Sequence, residues 1–188
     1  MLKKVYGSAV FGVEAHTITI EVNVDKGIGY HLVGLPDNAI KESNFRIAAA
    51  LQNNGYKIPG KKLIINMSPA DMRKEGSAYD LPLAMGILTA SNQIKEVNIE
   101  RYVIMGELSL DGMVQPIKGV LPIAIKALEE GFDEVEVIGN KPPPKKNNNN
   151  NNKSVNSNNK TAKGFGKNNN DNDNEMSQGN KFFIKNLN

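Results

Sequence analysis

The sequence predicts an α/β fold, a mixed β-sheet covered by helices in a two-layer sandwich. Three observations point there. In residues 15–24 the side chains of Ile18, Ile20, Val22 and Val24 alternate with polar ones, the period of a half-buried strand. Ile40, Ile47 and Leu51, with alanines at 48–50, form an apolar stripe at helical spacing. Residues 81–90 are apolar on nearly every side, as in a helix at the centre of a domain. Strand and helix patterns are mingled along the chain.

Each element follows from local chemistry. Residues 4–12 and 15–24 pair as a hairpin across Gly12-Val13-Glu14. Asp25-Lys26-Gly27 turns the chain into a short strand at 30–33. Pro36-Asp37-Asn38 opens the first helix, where a short side-chain oxygen of Asp37 or Asn38 accepts from the free amides of the first turn. Asn53-Asn54-Gly55 ends it, with Gly55 free to take the left-handed backbone. Residues 62–67 are a buried strand. Asp80 is the expected cap of the helix at 81–90, and Pro82 is tolerated in its first turn. Residues 102–107 form a strand, and Asp111-Gly112 turns a hairpin into Met113-Val114. A helix at 120–130 is stopped by Gly131, and 135–138 is the last strand.

The folded domain is expected at 1–140. Pro142-Pro143-Pro144 and the Asn run 147–152 mark a change in composition. From 141 to 188 the chain carries too little apolar surface to offset the entropy of ordering it, so this segment reads as a disordered Asn/Lys-rich tail.

The net charge is +3, from 23 basic and 20 acidic side chains. Part of that excess sits in tail lysines, so charge alone does not argue for nucleic-acid binding by the folded part. With no cysteine, disulfides, thiol catalysis and Cys-based zinc sites are excluded. His16 and His31 are scattered on two strands and read as structural, so no metal site is expected. No run approaches the length of a membrane span, and the N-terminus lacks the pattern of a signal peptide. A cytoplasmic location with no membrane partner is the expectation.

Gly27-Ile28-Gly29 lacks the third glycine and the strand–turn–helix setting of a dinucleotide loop, and no GxxxxGK[ST] motif occurs. No cofactor is expected in this chain. The aspartates at 25, 37, 71, 80 and 111 stand beside glycines, prolines or helix starts, where caps and turns explain them. The basic points Lys57, Lys61, Lys62, Arg73 and Lys74 are the candidate DNA contacts. They flank one strand and are expected at one end of the sheet, where binding would be weak and indifferent to sequence.

Three blocks are different in kind. The first contains Gly34, Leu35, Pro36, Asp37, Lys41, Glu42 and Ser43. The second contains Pro69, Ala70, Asp71, Lys74, Glu75, Gly76, Asp80, Leu81 and Pro82. The third contains Gly106, Glu107, Leu108, Ser109 and Gly112, followed by Gln115-Pro116-Ile117-Lys118-Gly119. In order and spacing they resemble the signature of the N-terminal domain of the Mg-chelatase-like ComM/YifB family of AAA+ ATPases, from Met1 to about Gly139. The resemblance implies a ribosomal protein S5 domain 2-like fold, shared with the Lon protease domain. It implies that full-length relatives continue into an ATPase module using ATP and Mg2+, form homo-oligomeric rings, and in ComM drive DNA branch migration during natural transformation. This chain departs from the pattern at Pro142-Pro143-Pro144 and the Asn tract, where the linker to the ATP-binding loop belongs. A chain truncated before the motor is the expectation, and ATP hydrolysis is not carried over.

The Lon relation raises a Ser-Lys dyad as the enzyme alternative. Laid on that motif, Ala78 takes the nucleophile's place and Leu121 the base's place; Ser77 and Lys118 are displaced from them. The domain therefore reads as non-catalytic, an assembly or DNA-handling unit. The alternatives are a protease-like enzyme using Ser77 or Ser68 with Lys118, and a protein-interaction module that uses a sheet edge.

Overall fold

A long hairpin forms the middle of the sheet. Strands β1 (Leu2–Phe11) and β2 (Glu14–Asp25) pair antiparallel from Leu2↔Asn23 to Phe11↔Glu14. The alternation read in the sequence is realised: Ile18, Ile20 and Val22 are fully buried, each contributing about 1.5–3 kcal/mol relative to exposure. The computed structural model describes residues 1–94, 98–132 and, for backbone alone, 134–137. The tail expected at 141–188, the boundary at 140 and residue 138 lie outside the described residues.

Next come β3 (Gly29–Val33), α1 (Asn38–Asn53), β4 (Lys62–Ser68), α2 (Asp80–Ala90), β5 (Tyr102–Met105), β6 (Glu107–Leu108), β7 (Val114–Gln115), α3 (Val120–Glu129) and β8 (Glu134–Val137). Six strands form one mixed sheet in the order β3-β4-β2-β1-β5-β8, and β6-β7 form a separate ribbon. β3 runs parallel to β4, and β5 runs parallel to β1 and β8. Helix α2 lies on the face that carries Val5 and Val22, so tightly that a Cβ at Gly86 would stand 2.6 Å from a Val22 methyl. Helix α1 packs on α2. The sheet and the α1–α2 pair form two α/β layers, and α3 is set against the opposite face of the sheet, where Gly119 meets Val10 and Thr17 bonds Glu130 at 2.6 Å.

Two expectations need correction. The strand read at 102–107 breaks at Gly106. Its N–H donates to the Ala78 carbonyl at 2.8 Å and its carbonyl accepts from the Leu81 N–H at 2.9 Å, so this residue joins the start of α2 and the chain leaves the sheet. Asp80 is not the cap of α2 but its first residue, and the side chain makes no capping bond. It is fully buried and turned to a partner 34 residues away in sequence.

Candidate functional site

The three signature blocks converge on one junction, built where β3, β4 and β5 end. Gly34 (φ +100) lies so close to β4 that a Cβ would stand 2.1 Å from the Met67 carbonyl oxygen; only glycine allows this approach. The second block then pairs with the first. Lys74 N–H donates to the Leu35 carbonyl at 3.2 Å, and Asp37 N–H to the Lys74 carbonyl at 3.0 Å. Asp37 does cap α1, accepting from the Ile40 N–H at 2.8 Å, and its second oxygen accepts from the Gly76 N–H at 3.0 Å. One carboxylate thus ties a helix start to a loop 39 residues away. Ser43, fully buried, turns its hydroxyl back to the Ile40 carbonyl at 2.6 Å.

The centre of the junction is an ion pair. Arg46 on α1 donates through Nε and Nη2 to the two carboxylate oxygens of Asp80 at 2.7 and 3.0 Å. Its Nη2 also reaches the Ala39 carbonyl at 3.0 Å, and the Leu108 N–H donates to Asp80 at 3.2 Å. Burial pushes the Asp80 carboxyl above its ordinary value, against the pull of Arg46 and Leu108, while the bond to Asp80 holds Arg46 still more firmly charged. Tyr30, whose hydroxyl has no hydrogen-bond partner among the described residues, is pushed up to about 12 by burial, with the Asp80 charge adding to it. Arg46 escaped the sequence reading. It sits among helix formers, and no local spacing links it to Asp80.

Lys74 is a correction. Expected as a surface contact, it is fully buried and its ammonium donates to the Pro69 carbonyl. Burial lowers its affinity for a proton, partly opposed by Asp71. In the third block, Glu107 accepts from the Ser77 hydroxyl. Ser109 and Asp111 bond each other in the β6–β7 turn, which Asn53 and Asn54 hold from α1 through the Leu110 and Asp111 carbonyls at 2.7 and 2.9 Å. Of the signature side chains, Leu35, Lys41, Glu42, Pro69, Ala70, Asp71 and Glu75 face outward.

Beside the junction opens a cleft of about 160 Å³, whose walls include Val10, Arg73, Glu75, Ala78 and Lys118. It bears on the protease alternative. Ala78, at the nucleophile's place, does share the cleft with Lys118, but Ser77 does not line it and its hydroxyl is engaged by Glu107. Ser68 accepts from the Asn66 amide at 3.0 Å. Leu121 stands 71% exposed. Neither serine is brought to Lys118.

The remaining basic residues separate into two groups. Lys57, Lys61 and Lys62 lead into β4, and Arg73 follows its far end. The seven residues of β4, at about 3.3 Å each, put about 20 Å between them. The expectation that both groups share one end of the sheet is therefore wrong: the strand they flank holds them apart. Lys26 joins the first group, because β2 ends where β4 begins, at Asp25↔Lys62. Gln93 clamps the Lys57 backbone through both amide atoms, at 3.0 and 2.8 Å. Arg73 is paired with Glu75 at 3.0 Å, both exposed. Residues 55–62, from Gly55 through Gly60-Lys61 to Lys62, have the glycine and lysine spacing of a phosphate loop. Lys62 stands where the hydroxyl residue belongs, and the loop runs from helix to strand, the reverse of the required order. No cluster of His, Asp and Glu able to hold a metal occurs among the described residues, and no described helix is long and apolar enough to cross a membrane.

Fold and junction together define a small α/β domain whose signature residues hold helix starts, strand ends and a β-ribbon to one another. Known proteins are similar over most of this chain's length. The family model for the ChlI subunit of Mg-chelatase matches residues 20–140. The YifB protein of Salmonella typhimurium (strain LT2) is 43% identical over 128 residues, 68% of this chain and 25% of that protein. YifB of Escherichia coli K12 is 41% identical over 131 residues, 69% and 26%. The competence protein ComM of Haemophilus influenzae is 41% identical over 124 residues, 65% and 24%. The chain belongs to the Mg-chelatase ChlI-subunit family, in company with YifB and ComM, and spans about a quarter of the length of these curated relatives.

Proposed function

We propose that this domain is a non-catalytic assembly unit of a Mg-chelatase-like protein, one that also makes weak, sequence-independent contact with DNA. One observation carries the reading. Four charged side chains of the signature, Asp37, Lys74, Asp80 and Glu107, are engaged by backbone or side-chain partners within the chain. A signature used this way encodes a rigid shape, and Ala78 stands in the cleft where the Ser-Lys motif would place its nucleophile. The DNA contact belongs to Lys26, Lys57, Lys61 and Lys62, none of which forms an ion pair among the described residues. In the longer relatives, ring formation and ATP with Mg2+ would belong to the rest of the protein.

Two measurements test this. A fluorophosphonate probe should leave Ser77 and Ser68 of the native protein unlabelled; labelling of either, abolished by its change to alanine, would restore the protease reading. Fluorescent single- and double-stranded DNA should bind weakly, with affinity falling steeply as salt rises. Changing Lys57, Lys61 and Lys62 together to Gln should weaken binding about equally for all sequences and reduce the salt slope. If the triple variant binds like the parent, the DNA half of the proposal fails and assembly alone remains.

A further inference from the structure

Strand β1 outruns its neighbour. β5 pairs with it in parallel at Tyr6↔Val103 and ends at Met105, so β5 stops beside Ser8 while β1 continues to Phe11. In an antiparallel pair, successive residues turn their N–H and C=O alternately toward the partner strand and away from it. The bonds of Ser8 set the phase. Its N–H points to Met105 Sδ at 3.2 Å, and its carbonyl accepts from the Tyr79 hydroxyl at 2.9 Å, both away from β2. Val10, two residues on, therefore faces the same way. Its N–H and C=O have no partner among the described residues.

The cleft lies against these groups. It is bordered by four consecutive residues, Ser8 to Phe11. Their side chains alternate between the two faces of the sheet, so a cavity touching all four runs along the strand's edge. Its inner end is closed. The Ser8 backbone is already bonded on that side, and Tyr79 and Met105 are buried there. A strand laid along Val10 thus has room to finish, not to pass through. Two cations border the site, Arg73 and Lys118, against the single carboxylate of Glu75. Glu75 neutralises Arg73 at 3.0 Å, and Lys118 has no ion pair among the described residues.

We propose that this cleft captures the free C-terminus of a partner polypeptide, added as a short strand to the open edge of β1. The Val10 N–H and C=O supply the backbone ladder. The terminal carboxylate is held by Lys118, with Arg73 beside it. The last side chain rests on apolar walls from Ala78, Ile117 and Ile123. This goes beyond the assembly reading and holds whether or not the lysine-rich end meets DNA.

The test uses the full chain, immobilised, and a phage library displaying random octapeptides with free C-termini. Enriched peptides are resynthesised as the free acid and as the C-terminal amide, then titrated by fluorescence anisotropy. The free acids should bind, amidation should weaken binding about tenfold or more, and Lys118→Ala should do so several-fold. Both cations are exposed, so their variants fold like the parent. On 15N-labelled protein, the Val10 amide should shift on binding. The proposal is overturned if no peptide is enriched over a library panned on the Arg73→Glu/Lys118→Glu variant, if acid and amide bind alike, or if the Val10 amide does not respond.

Discussion

Tyr79 and Asp80 are neighbours in sequence, yet they border two regions built on opposite terms. On the Asp80 side lies the junction, where charges are buried and paired: Arg46 with Asp80, Asp37 with two backbone amides, Lys74 with the Pro69 carbonyl. On the Tyr79 side lies the cleft, where cations stay exposed and the Val10 backbone groups stay unbonded. Burial makes the difference. A polar group withdrawn from water must find a partner or lose several kcal/mol, so the junction can hold only one arrangement. The cleft keeps water as its partner and can exchange it for something else. Stability should therefore concentrate in the first region and binding in the second.

The sharpest way to break that comparison is Arg46→Ala. It leaves Asp80 buried without its counter-charge, and urea unfolding should show a loss of about 3–5 kcal/mol. A loss below about 1 kcal/mol would mean that water reaches Asp80, and the contrast between the regions would fail. Asp37→Ala should cost less, about 2 kcal/mol, because it removes a helix cap and strands the Gly76 N–H; the same urea measurement checks it.

The pH response of Lys74 sharpens the comparison further. Burial lowers its pKa in the folded state below the ordinary 10.5. Between the folded value and 10.5 the unfolded chain binds a proton that the folded chain does not, so stability rises with pH across that window. The urea midpoint of the wild type should climb toward pH 10 relative to that of Lys74→Met. Parallel curves would place the ammonium in water.

The smallest effect belongs to the cleft. Arg73→Ala removes an exposed ion pair, and Lys118→Ala an exposed cation with none. Each should change stability by no more than about 0.5 kcal/mol while altering whatever binds there. A larger loss in either would place that side chain with the junction.

Much of this was legible beforehand. The alternation of Ile18, Ile20 and Val22, the stripe of Ile40, Ile47 and Leu51, the Asp37 cap and the Asp111-Gly112 turn are all local signals, and each appears in the structure where local chemistry put it. Gly34, Gly76 and Gly106 were recognisable as a family pattern, though not for what they do, and the second bond of Asp37, to the Gly76 N–H, has no local signal. Asp80 was misread because a carboxylate before an apolar helix has the look of a cap. Its true partner lies on another helix.

What the sequence by itself determined was the set of elements, their order and the family, because periodicity, caps and turn residues act within a few positions. Tertiary structure alone decided that Arg46 meets Asp80, that Lys74 is buried and that β4 holds Arg73 apart from Lys57, Lys61 and Lys62. It alone decided that β1 outruns β5 and leaves Val10 open. Each of these depends on which distant segments share a neighbourhood and how far each strand extends beside the next. That is settled by packing of the whole chain, and no short window of residues contains it.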